Sequence, residues 1–350
     1  VIFIPTDPLL AESFHAGEMA VQPHGGYRME IEWSRVGARE VTVKWAGKAG
    51  LFESVHRHRD LNLCTSFHLE FSSKTSSYTI YAMARKLKVA AAQLGPNHLN
   101  TPRSAVISRM LALLHTASDL GAQLVLFPET AFTTFFPRHL ITSQAELDSF
   151  FEHGDSLHTA PNTRALFDEA QRLGIDISVG FAERDGDGKG YNTSVYYSAK
   201  AGEIIAKYRK VHLPGTKEPF ENPDAVNQLE KRYFEPGNLG FRAFRAPDLI
   251  PGVAKRGLQV AGHGKGDPIL GMLICNDRRW AEGWRCYGLQ GVEVVLCGYN
   301  TAGFAPDLWG TRTKMTREEA EKEAVFHHKL VMQGNSYVRL LHDVISIGVA

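Results

Sequence analysis

From Leu87 onward, apolar and polar positions along this chain fall into alternating strand-like and helix-like segments. LKVAAAQLG is a short apolar run and predicts a buried strand. RSAVISRMLALLHTASDLG then places apolar residues at helical spacing, with Gly121 as its stop. QLVLFPE predicts a second strand closed by Pro128, NTRALFDEAQRLG a helix closed by Gly174, and IDISVGFAE a third strand. NTSVYYS and EIIAKYRK predict paired strands joined through AKAGE. Beyond a loop-rich stretch from Val211 to Asp267 come strand ILGMLIC, helix WAEGWRCYGLQG, strand VEVVLCG and a last helix from about Thr316 to Gln333. Strands alternating with helices, some paired as hairpins, predict a layered α/β (α+β) domain.

Residues 1–82 lack this rhythm. GYRMEIEWSRVGAREVTVKW alternates as a hairpin or two would, but HRHRDLNLC and FSSKTSSYT keep no period. The chain is therefore divided into an N-terminal extension, 1–82, and a main domain, 83–350, that starts afresh at Met83. A small N-terminal β module is the alternative for the first segment, since a hairpin needs further strands to be stable.

Composition narrows the function classes. The chain has 350 residues, 43% hydrophobic and 22% charged, with a formal net charge of +1. Such a balance gives no reason to expect nucleic acid or a charged membrane as partner. Neither an 18-residue apolar run nor a secretory leader is legible, and the four cysteines, Cys64, Cys275, Cys286 and Cys297, form no CxxC. A cytoplasmic protein with free thiols is expected. The pairs His56/His58 and His327/His328 lack partners at ligand spacing, so no metal or other cofactor is expected.

Three predicted strand ends each deliver one reactive group: Glu129 in FPET, Lys210 in KYRKVHLPG and Cys275 in LICNDRRW. Loops at strand ends are where sites form on open sheets. Singly, each has an ordinary explanation: a helix-start charge, a solvated lysine, a small buried thiol. The order and spacing, 81 residues (129 to 210) and then 65 (210 to 275), make the trio informative.

These blocks resemble the catalytic blocks of the nitrilase (carbon–nitrogen hydrolase) superfamily, and most of all N-carbamoyl-D-amino acid amidohydrolases. The likeness runs through AAQLGP, FPETAFTTFFPR, AELDSF, KYRKVHLPG, LEKRYFEPGNLGF, ICNDRRWAEGWR, GYNT and FHHKL, from Lys86 to about Tyr337. It implies a four-layer α-β-β-α sandwich that associates as a homo-oligomer, and hydrolysis of the carbamoyl C–N bond through a cysteine thioester. Carried over residue by residue, it implies Cys275 as nucleophile, Glu129 as general base and acid, Lys210 as electrostatic stabiliser and Glu230 as a supporting carboxylate. Asn300, Thr301, His212 and His327 fall on family positions near the pocket.

Physical chemistry supports those roles. A thiolate is favoured beside a lysine and at the start of the WAEGWR helix. A carboxylate can relay the thiol proton to leaving ammonia and then activate water. The Lys210 ammonium and the Asn276 N–H are the expected oxyanion donors. Arg278 and Arg279 are expected to grip the carboxylate of a small anionic substrate, as a planar guanidinium suits that fork. The alternative is an arginine used for structure, paired with Asp277 or Glu282.

The chain departs from the pattern in three places. Gln228 stands where a histidine is expected, Ile250–Asp267 is longer and richer in glycine and lysine than the family connection, and the likeness stops after Tyr337. The domain is accordingly expected to be incomplete at its C-terminus. A β-ureidopropionase-like amidase, or an inactive homologue that only binds a partner subunit, is the competing reading.

Overall fold

The computed structural model describes residues 86–222, 225–253, 266–301, 304–307 and 315–336 in full, with the backbone of Tyr337 and of six further strands. Two compact units are present. The smaller, 11–86, holds β2 (Met19–Val21), β3 (Arg28–Ile31), β4 (Glu40–Gly47) and β5 (Gly50–Arg57), an antiparallel sheet in sequence order.

The larger unit comprises 1–10 and 87–350. Its strand β1 (Ile2–Pro5) pairs in parallel with β6 (Val89–Gln93), so the segment expected to stand apart as an extension divides, and its first strand joins the main sheet. The physical reason is the open edge of β6, whose backbone groups need partners. The expected restart at Met83 lies outside the described residues, as do most of the Ile250–Asp267 segment and the side chains of His56, His58 and Cys64.

After β6 come α1 (Arg103–Asp119), β7 (Leu124–Leu126), α2 (Gln144–Asp148), β8 (Phe151–His153), α3 (Arg164–Leu173), β9 (Asp176–Arg184), β10 (Gly190–Ser198) and β11 (Glu203–Arg209). The first sheet runs β1-β6-β7-β9-β10-β11, with β8 also on β9. The chain continues through α4 (Glu230–Tyr233), β12 (Phe244–Arg245), β13 (Ile269–Ile274), α5 (Ala281–Leu289), β14 (Val294–Gly298), α6 (Arg317–Tyr337) and β15 (Ile345–Val349). The second sheet runs β12-β13-β14-β15, and β15 is parallel to β14.

Side-chain alternation decides the layers. On β6, Ala90 and Ala92 face a core shared with Val106, Met110, Leu113 and Leu114 of α1 and Leu166 and Phe167 of α3. Val89 and Ala91 face the other way, into a core with Met272, Leu273, Val295 and Leu296 of the second sheet. That core also takes Trp284 and Tyr287 of α5 and Met332 of α6. The result is the four-layer α-β-β-α sandwich, each fully buried Leu or Val contributing about 1.5–3 kcal/mol. The predicted helix stops are present: Gly174 is the left-handed C-cap of α3 at φ 67°. Among the described residues, no helix is long and apolar enough to cross a membrane.

Candidate active site

Three loops at strand ends meet over the two sheets. Glu129 follows β7, Lys210 follows β11 and Cys275 follows β13. The passage of the Glu129 loop depends on two glycines. A Cβ on Gly180 would stand 2.7 Å from the Glu129 Cα, and one on Gly298 2.9 Å from the Phe127 oxygen.

Lys210 is fully buried, and its Nζ donates to Glu129 Oε1 and to Glu230 Oε2, both at 2.7 Å. Asn192, on β10, donates to the same Glu129 oxygen at 2.7 Å, and the Asn300 N–H donates to Glu129 Oε2 at 2.9 Å. Gln228, the residue found in place of an expected histidine, donates from Nε2 to Glu230 Oε1 at 2.8 Å. Two buried carboxylates thus share one buried ammonium. Burial alone would lower the Lys210 pKa, but Cys275, Glu129 and Glu230 reverse this and hold it above its ordinary value. Burial pushes Glu230 up to about 7, against the opposing pull of Lys210.

Cys275 opens a 3₁₀ turn, Cys275–Arg279, and takes a left-handed φ of 48°. A non-glycine residue held there costs about 1–3 kcal/mol and marks a functional turn when its surroundings fix it. Asp277 does the fixing. Its buried carboxylate accepts from Ile274 N (3.2 Å), Tyr208 OH (2.8 Å), His212 N (2.9 Å) and His212 Nδ1 (2.8 Å). The Cys275 Sγ lies 4.0 Å from the Asn300 oxygen, so the Asn300 backbone touches both Glu129 and Cys275.

The expected thiolate bias is corrected here. Helix α5 begins at Ala281, after the 3₁₀ turn, so Cys275 does not sit at its N-terminus. Burial raises the Cys275 thiol, Glu129 adds to that, and Lys210 and Arg278 pull the other way without prevailing. The surroundings therefore favour the thiol over the thiolate at Cys275.

The other expected residues divide. Arg278 is buried, donates to the Cys275 carbonyl at 2.6 Å and lies 4.7 Å from the Tyr299 ring centroid. Its own carbonyl accepts from Trp284 Nε1 and Asn335 Nδ2. Among the described residues its guanidinium bonds the Cys275 carbonyl, and neither Asp277 nor Glu282 pairs with it. Arg279 is exposed and reaches Asn276 Oδ1 at 3.3 Å, while Asn276 donates to the His212 carbonyl. His212 stacks on Trp280 at 5.0 Å. Thr301 is exposed at the end of β14. His327 lies on the exposed face of α6 against Phe326, and it is His328 that meets Tyr299 OH at 2.9 Å.

Asn192 and Tyr299 escaped the sequence reading, which had Asp277 only as a possible arginine partner and His328 only as half of a histidine pair. For Asn192 the available signal was its place in a strand whose neighbours are all apolar or hydroxylated; for His328 it was the helical phase of α6.

A family model described as carbon-nitrogen hydrolase matches residues 88–327. A nitrilase from Pyrococcus abyssi is 32% identical over 209 residues, 60% of this chain and 63% of that protein. A citrullinase from Francisella tularensis is 25% identical over 256 residues, 73% of this chain and 71% of the relative. An N-carbamoylputrescine amidase from Solanum lycopersicum is 28% identical over 190 residues, 54% and 51% of the respective chains. The chain thus spans between about half and seven-tenths of these relatives. Among solved structures, a carbon-nitrogen hydrolase from Helicobacter pylori superposes with a TM-score of 0.53 at 20% identity, covering 75% of this chain and 74% of that one. The likeness to that structure is one of fold. With the model covering well over half of its length, this chain belongs to the carbon-nitrogen hydrolase family.

Proposed function

We propose that this protein hydrolyses the carbamoyl C–N bond of N-carbamoyl-D-amino acids, yielding the D-amino acid, carbon dioxide and ammonia. The observation that carries the hydrolytic reading is the buried Lys210, held 2.7 Å from both Glu129 and Glu230, beside a cysteine on a strained turn. The resemblance of the motif blocks supports the D-carbamoyl substrate.

In this mechanism, Glu129 takes the Cys275 proton as sulfur attacks the ureido carbon. Negative charge collects on the oxygen and is met by the third N–H of Lys210 and a backbone N–H of the 275–276 turn. Glu129 returns the proton to the leaving nitrogen, ammonia departs, and an S-acyl enzyme remains. Glu129 then accepts a proton from water as the hydroxyl adds to the acyl carbon. Its return to sulfur frees the thiol and an N-carboxy amino acid, which loses carbon dioxide. Glu230 and Asn192 keep the Lys210 ammonium and the Glu129 carboxylate in register through this cycle.

The test is ammonia release by the purified protein from N-carbamoyl-D-alanine, N-carbamoyl-L-alanine and N-carbamoyl-β-alanine. Turnover of the D compound at least tenfold above the others supports the reading. Preference for the β-alanine derivative transfers it to a β-ureidopropionase-like amidase, and no ammonia from any of them overturns it. The homo-oligomer belongs to the same reading, and exposed Val325, Phe326 and Leu330 on α6 offer it an apolar face. Sedimentation of the same preparation reads that association.

A further inference from the structure

The described buried and half-buried arginines of the larger unit have polar partners, with one exception at the active site. Arg209 forks onto Glu183 at 2.8 and 2.9 Å, Arg245 donates to the Asp267 carbonyl, and Arg278 donates to the Cys275 carbonyl. Arg138 is different. It closes the 3₁₀ turn Phe136–Arg138, is half-buried, and donates only its backbone N–H, to the Phe135 carbonyl at 3.2 Å; its guanidinium makes no hydrogen bond or ion pair among the described residues. Its guanidinium lies 5.7 Å from the Phe135 ring centroid, the outer limit of a cation–π contact.

The backbone on both sides of Arg138 is tied to the turn that carries Glu230. Leu229 N donates to the Pro137 carbonyl at 2.7 Å, and Tyr233 OH donates to the His139 carbonyl at 2.9 Å. Phe136 is fully buried within a cluster of aromatic rings, with Phe150, Phe151, Tyr233 and Phe234 at 4.9 to 5.6 Å. The turn is therefore rigidly placed beside the site, where burial lowers the Arg138 pKa and the negative charge of Glu129 and Glu230 opposes that. Neither carboxylate bonds it, since both are held by Lys210. A half-buried cation kept without a partner is costly unless a ligand supplies the anion.

We propose that Arg138 receives the substrate's carboxylate and so sets a preference for N-carbamoyl amino acids over neutral or cationic ureido compounds. This rests on the proposed hydrolase reading for the identity of the ligand. The role expected of Arg278 and Arg279 then passes to a residue 140 positions before the first of them (278 − 138), because Arg278 is engaged with the Cys275 carbonyl and Arg279 is exposed and reaches Asn276. The planar fork of Arg138 matches a carboxylate, while Lys210 and the Cys275 turn remain available to the ureido group. A cationic end group would meet Arg138 and be repelled.

Binding and turnover test this separately. N-Carbamoylglycine and its neutral amide are titrated calorimetrically into Cys275→Ala protein and into Cys275→Ala/Arg138→Gln protein. The double variant is expected to lose about tenfold or more in affinity for the acid, with the amide unchanged. Arg138→Lys in the same background should restore part of the loss, since charge remains and the fork does not. An unchanged affinity for the acid, an equal loss on acid and amide, or no acid binding to the single variant overturns the proposal. Arg138-dependent binding of the acid without ammonia release by wild-type protein would instead place the failure in the hydrolase reading.

Discussion

Arg278, the first of the two arginines after the nucleophile, donates to the Cys275 carbonyl at 2.6 Å and covers the Tyr299 ring. The contact braces a turn whose first residue holds a left-handed φ, and it joins the turn to α6 through Tyr299 and His328. Arg278→Gln should therefore lower turnover on anionic and neutral substrates alike. An unsatisfied buried carbonyl costs about 1–3 kcal/mol, so the melting temperature should fall as well. A selective loss on the acid, with unchanged melting, would return Arg278 to the carboxylate grip.

Cys275→Ala should abolish turnover and leave the fold intact. The side chain is small, and its loss opens little cavity, whereas a covalent step accounts for orders of magnitude in rate. Activity within about tenfold of wild type would remove Cys275 from the nucleophile's role.

Gly180→Ala should cost activity before it costs the fold. The added methyl meets backbone atoms of Pro128, Glu129 and Thr130 at 2.7 to 2.8 Å, and backbone cannot swing aside as a side-chain tip can. The base must shift, and a displacement of about 1 Å costs on the order of a hundredfold in rate. Unchanged kcat would show that the Glu129 loop has room to adjust.

The pH dependence of stability should carry the signature of Glu230. Its folded pKa is raised to about 7 by burial, from an ordinary value of 4.5. The folded state therefore binds the proton more tightly than the unfolded one. The stability this contributes is fully present below pH 4.5 and is lost as the pH rises through about 7. Between pH 5 and 8, wild-type protein should lose melting temperature relative to Glu230→Gln, which has no proton to release. Parallel melting curves for the two proteins across that range would contradict the assignment.

His328 gives the opposite sign. Burial, then Arg278 and Arg279, lower its pKa from 6.5 to about 4, and the neutral ring shares a hydrogen bond with the Tyr299 hydroxyl. That contribution is present above pH 6.5 and lost as the pH falls through about 4. His328→Gln should flatten the acid limb of the stability profile, read by urea denaturation between pH 4 and 7. An acid limb as steep as that of wild type would place the titration elsewhere.

Much of this molecule was determined by sequence alone. The apolar periods set β6, α1, β7, α3, β9 and the β10–β11 pair, because burial rewards a two-residue or a 3.6-residue repeat wherever it falls. The motif blocks named Glu129, Lys210 and Cys275, since their chemistry resides in residue type and order. The tertiary structure decided the partners. No local pattern records that Arg278 meets the carbonyl of Cys275, that Asp277 is shared by Tyr208 and His212, or that His328 rather than His327 faces inward. A hydrogen bond depends on distance across the fold, and residues 65 apart, such as His212 and Asp277, carry no period that links them. The upward push on the Cys275 thiol was likewise decided by burial, which depends on how the two sheets close over it rather than on its neighbours in the chain.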